Sequence, residues 1–224
     1  MLIISTIILI LLTILLGGVF NMRLHQEKLQ ASVVKILPEN KSFIKADEVA
    51  KSLHITDSAT IDIKYFEEKL SKNKFINKAE VYRDLNGNLI AEVTQYKPIA
   101  RVLGTNSYYL DENGHKRPLS HHYTENVVLI YGDISQKQQK NVVDLVKQIH
   151  QDELLNDIVS EIHIKPYGYN FRIKGIKAKF VLNNDAYEAQ LHKLKVMYVY
   201  LKKHRLVNKY QQIDLRYNKQ VVCK

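Results

Sequence analysis

Hydrophobic residues fill the first twenty positions of the chain and become periodic only afterwards. Residues 1–20 contain no charged side chain, and only Ser5, Thr6 and Thr13 carry polar ones. At 1.5 Å per residue, a helix over residues 2–20 would be roughly 28 Å long, which matches a hydrocarbon core of about 30 Å. The pattern therefore predicts a transmembrane helix over residues 1–21, followed by a globular body.

A cleaved signal peptide is the alternative interpretation of this run. Such signals begin with a basic segment, have a shorter apolar core and end at a small-residue cleavage site. Residues 1–20 lack the basic segment, and Gly17-Gly18 makes a poor cleavage site, so we favour an uncleaved anchor. A start site upstream of Met1 would also account for the missing basic segment, and from the residues alone this question stays open. Charge alone would place the body in the cytoplasm, because Arg23 and Lys28 follow the run.

The pattern after the anchor first predicts a small unit over residues 22–97. The hydrophobic periods there indicate elements in the order strand, helix, helix, strand, strand. The predicted segments are 31–37, 44–53, 61–72, 76–83 and 88–96. Asp62 is a natural N-cap for the second helix. Asn86-Gly87 is a strong hairpin signal between the last two strands.

A second unit is predicted over residues 98–224, because Lys97-Pro98 makes a plausible domain boundary. Helices with clear apolar stripes are expected at 135–150 and 186–205, with capping-box spacing at Ser135 and Gln138 and at Asp185 and Glu188. Strands are expected at 99–103, 107–110, 127–131, 158–165, 169–174, 178–182, 211–217 and 219–223. The predicted fold class is α+β, ending in edge strands.

Composition narrows the function classes. The net charge of +10 favours acidic partners or anionic headgroups near a membrane. No arginine-rich run or recognition motif indicates nucleic-acid binding. The one cysteine, Cys223, excludes an internal disulfide and leaves the redox compartment open.

Few residues indicate chemistry. His121-His122 suggests a metal site, but neighbouring strand side chains point to opposite faces, so a simple loop is the preferred interpretation. No nucleophile, phosphate-loop or dinucleotide motif occurs, and Cys223 at the chain end has no shielding pocket. We therefore expect no enzyme activity and no cofactor. The basic set over residues 192–209 is interpreted as a solvated helix face, with a docking surface as the alternative.

Four segments resemble the FtsQ/DivIB family of bacterial cell-division proteins. They are FINKAEV (75–81), YKPIA (96–100), YYLDENG (108–114) and IDLRY (213–217). Two local departures exist. Residues 84–87 stand where the family often has Trp-Pro, and Gln95 stands where it often has Glu. The resemblance extends over about the whole chain.

The resemblance implies a single-span scaffold of the inner membrane at the division septum. The first unit would be a POTRA domain and the second the family's β domain, both outside the cytoplasm, which reverses the orientation inferred from charge. The implied partners are FtsB/FtsL-like coiled-coil proteins and the septal peptidoglycan synthase FtsW/FtsI. In relatives a partner adds a strand to the C-terminal edge.

The residues of this chain that correspond to that edge are the candidate partner-binding residues. They are Arg216, Tyr217, Lys219, Val221 and Cys223. Arg216 and Tyr217 match the family's contacting positions, whereas the other three would use mostly backbone groups. The competing interpretation of Arg216 and Tyr217 is ordinary packing and a surface ion pair. Two other functions stay open: a POTRA protein of outer-membrane assembly or secretion, and an anchored cell-wall enzyme.

Overall fold

The computed structural model describes residues 32–39, 41–53, 62–85, 87–184 and 187–224. The predicted membrane helix over residues 1–21 lies outside these residues. Among the helices that are described, none is both long and apolar enough to cross a membrane. The mixed α+β class predicted for the body of the chain is confirmed.

The first part of the chain forms a three-stranded sheet with two helices. Its elements are β1 (Ser32–Leu37), α1 (Ala46–Ser52), α2 (Ile63–Ser71), β2 (Ile76–Arg83) and β3 (Leu89–Gln95). The strand order is β1-β3-β2, with β1 parallel and β2 antiparallel to β3. The order of elements agrees with the sequence prediction, and Asp62 caps α2 by accepting a hydrogen bond from the Tyr65 amide at 3.1 Å.

Alternating burial explains why β3 is central in this sheet. Leu89, Ala91 and Val93 are almost completely buried and point to the helices, as the two-residue period of a strand requires. Phe66 and Leu70, one turn apart on α2, close the other side of this core. Gly87 in the predicted turn has φ +83°, whereas Asn86 lies outside the described residues.

The second part forms a nine-stranded sheet with three helices. Its strand order is β12-β11-β10-β9-β8-β7-β4-β5-β6. The strands are β4 (Pro98–Leu103), β5 (Tyr108–Asp111), β6 (Lys116–Arg117), β7 (Val128–Tyr131), β8 (Val159–Lys165), β9 (Gly168–Ile173), β10 (Ile176–Leu182), β11 (Gln212–Asp214) and β12 (Val222–Cys223). The helices are α3 (Gln136–Gln151), α4 (Glu153–Ile158) and α5 (Tyr187–Lys203).

The second core lies between this sheet and α3, α4 and α5. One row of fully buried residues crosses the strands through Ile130, Ile162, Phe171 and Phe180. The helix α3 contributes the stripe that its spacing predicts, which consists of Val142, Leu145, Val146 and Ile149. This core holds β11, the strand next to the C-terminal edge, in a fixed position, because Ile213 and Leu215 are also fully buried in it.

The helices of the second part differ from the sequence prediction at the start of α3 and at α4. The capping box at α3 is not formed. Ser135 Oγ donates to the side-chain oxygen of Gln138 at 2.7 Å and makes no capping hydrogen bond with the helix backbone. Residues 153–158 form the short helix α4, which the pattern did not indicate. Its N-cap is Asp152, whose carboxylate accepts from the Leu155 amide at 3.0 Å.

An aromatic junction joins the two sheets, and it consists of Phe43, Phe75, Tyr96, Tyr109 and Tyr123. Phe43 stacks on Tyr96 with ring centroids 5.1 Å apart and meets Tyr109 and Tyr123 edge-on. The Tyr96 hydroxyl donates to the Pro118 carbonyl at 2.9 Å.

Polar contacts extend this junction on both sides. His122 Nε2 lies 2.9 Å from Glu48 Oε1, and Lys41 pairs with Glu125 at 3.1 Å. The His122 ring is therefore engaged across the junction. Within the described residues no group of His, Cys, Asp and Glu side chains could hold a metal ion.

Candidate C-terminal edge

The last described strand, β12, is the outer edge of the nine-stranded sheet. It pairs antiparallel with β11, with Ile213 opposite Cys223 and Asp214 opposite Val222. The pairing continues past the strand, because the Lys224 amide donates to the Gln212 carbonyl at 2.9 Å and the Gln212 amide donates back at 3.1 Å. In the described part of the chain, no strand pairs with the other side of β12.

The register decides which backbone groups of β12 face outward. In an antiparallel pair, residues that exchange both hydrogen bonds alternate with residues whose amide and carbonyl point away from the partner strand. Lys224 exchanges both bonds with Gln212, so the backbone groups of Cys223 point away from β11. Val221 directly precedes β12 and lies outside its ladder. Of the five candidate residues, Cys223 thus presents backbone donors and acceptors at an unpaired edge.

The strands at this edge are shorter than the sequence predicted. The expected strands over 211–217 and 219–223 reduce to three and two residues. Lys219 lies in the turn between them, with a φ of +58° that L-residues rarely adopt. Its side chain is exposed and belongs to the turn, so the prediction that Lys219 lies on the edge strand is wrong.

Arg216 is already paired within the chain. Its Nε donates to Asp214 Oδ1 at 2.9 Å and its Nη2 donates to Asp214 Oδ2 at 2.6 Å, which is the two-bond geometry typical of an arginine and a carboxylate. The Asp214 side chain is 7% exposed, whereas that of Arg216 is 41% exposed. A contact between Arg216 and a partner carboxylate must therefore compete with this internal pair or use the remaining nitrogen, Nη1.

The Asp214–Arg216 pair shifts the pKa of each group in the direction that favours its charged form. The hydrogen bonds from the Arg216 side chain lower the pKa of Asp214 below its ordinary value, against the opposing effect of burial. The same hydrogen bonds raise the pKa of Arg216. Both groups are therefore charged at neutral pH, and the pair persists there.

Tyr217 and a lysine of α5 complete the turn. The Tyr217 side chain is 46% exposed next to the edge. The ammonium of Lys193 donates to the carbonyl of Leu215 and, at 2.7 Å, to the carbonyl of Tyr217. The sequence did not single out Lys193, and Asp214 was noted only as a member of the segment IDLRY (213–217). A second signal for Asp214 was its spacing of two from Arg216, which places both on one face of the expected strand.

An apolar groove lies between α5 and the edge strand. It has a volume of about 330 Å³ and is lined by Lys193, Val196, Met197, Tyr200 and Val221. Val196, Val199 and Tyr200 on the outer face of α5 are 58%, 53% and 47% exposed. Large apolar side chains gathered in this way beside an unpaired strand are typical of an interaction surface.

The comparison with protein families concerns the part of the chain that contains this edge. A family model described as FtsQ/DivIB, C-terminal related, matches residues 97–224, which is more than half of the chain. The chain belongs to the FtsQ/DivIB family. The resemblance inferred from the four sequence segments is thereby confirmed.

A curated FtsQ/DivIB relative is similar over a longer stretch. The cell division protein FtsQ of Geotalea daltonii (strain DSM 22248 / JCM 15807 / FRC-32) is 28% identical over 170 residues. The match covers 70% of this chain and 61% of that protein, so the chain spans about three fifths of the relative's length. Membership of the FtsQ/DivIB family supports a role in cell division.

Cys223 lies at the edge of this FtsQ/DivIB chain as a half-buried thiol. Burial raises its pKa above the ordinary value, so the thiol is protonated and weakly nucleophilic at neutral pH. Its contribution to the edge is therefore its outward-facing backbone and a small apolar side chain that packs against the second core.

Proposed function

We propose that this protein is a bitopic scaffold of the cell-division machinery that recruits an FtsB/FtsL-like coiled-coil protein through its C-terminal edge. Residues 1–21 would anchor it in the inner membrane, with a POTRA domain over 22–97 and a β domain over 98–224 outside the cytoplasm at the septum. Through its partner it would help to regulate septal peptidoglycan synthesis by FtsW/FtsI. Family membership supports the division role.

The open side of β12 is the observation that carries the proposal. Backbone groups of Cys223 point outward there, and an incoming strand would pair with them, and with those of Val221 just before β12, by β-augmentation. The apolar groove lies directly beside this edge and includes Val221. A partner segment with an extended backbone and a large apolar side chain would satisfy both features at once.

The five candidate residues have different parts in this proposal. Tyr217 offers an exposed ring beside the edge and is the side chain that we expect to contribute most. Arg216 would contact a partner carboxylate through Nη1 while its other two nitrogens hold Asp214. Val221 and Cys223 would supply backbone groups. Lys219 would act only through the turn.

Substitution of Tyr217 tests the proposal. Tyr217→Ala should weaken binding of a synthetic peptide, taken from the C-terminal segment of the same organism's FtsB-like protein, by about tenfold or more. The measurement is isothermal titration calorimetry with residues 22–224. Tyr167→Ala is the matched control, because Tyr167 is 84% exposed in the turn before β9 and lies outside the edge.

Equal affinities for the native chain and Tyr217→Ala would remove Tyr217 from the interface. Equal losses in Tyr217→Ala and Tyr167→Ala would show that binding does not depend on the edge. If the native chain does not bind the peptide at all, the proposed partner is wrong. Circular dichroism and the unfolding midpoint check that both variants stay folded, which we expect because each ring is exposed.

A further inference from the structure

Lys193 makes contacts that an ordinary exposed lysine on a helix does not make. It lies on α5, and its ammonium donates to two main-chain carbonyls, those of Leu215 and Tyr217, 22 and 24 residues further along the chain. Its side chain is half-buried and lines the apolar groove together with Met197 and Val221. Lys193 thus ties the long helix to the segment that leaves β11.

The chain changes direction at these two carbonyls. Up to Leu215 it follows β10, since the Leu215 amide still donates to the Val181 carbonyl at 3.0 Å. After Tyr217 it turns back through Lys219 to form β12. The carbonyls of Leu215 and Tyr217 therefore lie outside the sheet ladder, where their hydrogen-bonding capacity must be met by another group.

The Asp214–Arg216 pair fixes the same turn from within its own segment. Asp214 accepts from the Arg216 backbone amide at 3.1 Å as well as from its guanidinium. Lys193 and Asp214 together hold the segment between β11 and the turn on two sides. The ladder of β12 is short, with two residue pairs that the Lys224–Gln212 bonds extend by one, so the segment that leads into β12 helps to set its position.

We propose that Lys193 is a positioning residue that preforms the edge strand β12 before any partner arrives. If a segment is in its binding conformation for only a fraction of the time, the apparent affinity for the partner is reduced to that fraction of its intrinsic value. By bonding the carbonyls of Leu215 and Tyr217, Lys193 keeps the outward backbone groups of β12 aligned. The positioning itself concerns the free protein, and only its effect on affinity rests on the proposed function.

Hydrogen exchange in the free protein tests the positioning directly. Lys193→Met retains the aliphatic stem in the groove but removes the ammonium. We expect the amides of Gln212 and Lys224, which pair β11 with residues after β12, to exchange about tenfold faster or more in this variant. Amides in β9, measured in the same NMR spectra, should keep their native rates because that strand is held by the second core.

Two further variants separate positioning from general stability. Lys193→Arg should restore slow exchange, because a guanidinium carries enough donors to reach both carbonyls. Lys203→Met, which removes an exposed charge from the last turn of the same helix, should leave exchange at Gln212 and Lys224 unchanged. Native exchange rates in Lys193→Met, or equal acceleration in Lys203→Met, would overturn the proposal.

Peptide affinity then distinguishes this inference from the proposed function. With the FtsB-like peptide as probe, Lys193→Met should bind about threefold to tenfold more weakly than the native chain. Faster exchange together with no peptide binding by the native chain would retain Lys193 as a positioning residue and reject the proposed partner. Faster exchange with unchanged affinity would show that preforming the edge does not matter for binding. It would overturn the claim that Lys193 increases the affinity for the peptide.

Discussion

Asp214 and Arg216 show how one sheet edge combines a buried charge with an exposed one. The carboxylate of Asp214 is nearly inaccessible, and two guanidinium hydrogen bonds compensate for its loss of water. Removal of the arginine would leave a buried carboxylate without that compensation, which costs more than the pair itself contributes. The pair is therefore best regarded as a support of the turn.

The lowered pKa of Asp214 gives this support a defined pH dependence. Because the pKa in the folded state is below the ordinary value of 3.8, the carboxylate stabilises the fold above that value and loses its contribution as the pH falls through the folded pKa. Asp214→Asn should lower the free energy of unfolding by about 1–3 kcal/mol at pH 7. The difference from the native chain should shrink below pH 3.8.

Urea unfolding followed by circular dichroism at a series of pH values measures this effect. Asp157→Asn is the control, because Asp157 is 80% exposed and lies 3.8 Å from Lys174, so its pair should contribute little. A difference between Asp214→Asn and the native chain that stays constant down to the acid limit would contradict the explanation.

Among individual residues, the sequence identified those that lie in a family-like motif. It missed those whose role depends on contacts with distant parts of the chain. Tyr217 and Arg216 were found because IDLRY resembles a family segment. Lys193 was seen only as one member of a basic set, because its two acceptors are main-chain carbonyls more than twenty residues away. No local pattern marks a lysine that will meet distant carbonyls.

In the helix α5, the hydrophobic period predicts the buried face but not the exposed apolar face. Its predicted apolar stripe faces the second core: Leu191, Leu194 and Leu201 are buried. The outer face carries a second apolar set, Val196 and Tyr200 among them, next to lysines. Because apolar residues occur on two faces of α5, their spacing does not indicate a single buried face. The sequence therefore predicts the helix but not the groove beside β12.

Substitutions on the two faces of α5 should therefore differ sharply in their effect on stability. Leu194→Ala removes a fully buried side chain and should lower the free energy of unfolding by about 2–5 kcal/mol. Val199→Ala, on the 53% exposed outer face, should change it by less than about 0.5 kcal/mol. Urea unfolding measures both. A large loss in Val199→Ala would mean that the outer face serves the fold and is not kept for a partner.

The hydrophobic pattern did not define the shortest elements. The strand β6 was not predicted, and β12 comprises only the last two residues of the strand expected over 219–223. Two residues contain a single alternation, and these strands exist because a longer neighbour supplies their hydrogen bonds. The helix α4 has six residues, too few for a stripe to repeat. Longer elements such as α3 and β3 were predicted because several periods fit within them.

In the whole molecule, the aromatic junction couples the two sheets through side chains from distant positions in the chain. Phe43 lies at its centre, and its backbone is also held, since its amide donates to Gln95 Oε1 at 2.6 Å and its carbonyl accepts from Ser120 Oγ at 2.6 Å. Neither the junction nor the sheet order was predictable. Strands β4 and β7 lie side by side although a hairpin separates them in sequence.

Truncation of Phe43 should uncouple the two parts of the protein. Phe43→Ala removes a 3% exposed ring and should lower the free energy of unfolding by about 3–5 kcal/mol. Scanning calorimetry should then resolve two transitions for this variant and one for the native chain, because loss of the junction removes the coupling between the cores.

Phe66→Ala serves as the comparison for this experiment. Phe66 is 7% exposed and lies within the first core only, so its truncation should weaken that core while the junction stays intact. A single transition in Phe43→Ala, shifted to the same extent as in Phe66→Ala, would indicate that the aromatic cluster packs without coupling the sheets.

The position of Cys223 has a practical consequence for spectroscopy. It is the one cysteine of the chain, and it lies in the strand that forms the candidate edge. A small fluorinated tag or nitroxide attached to this thiol would report from the candidate edge without any prior mutagenesis. Because the thiol is half-buried and has a raised pKa, labelling calls for mildly alkaline conditions, where the thiolate is more abundant.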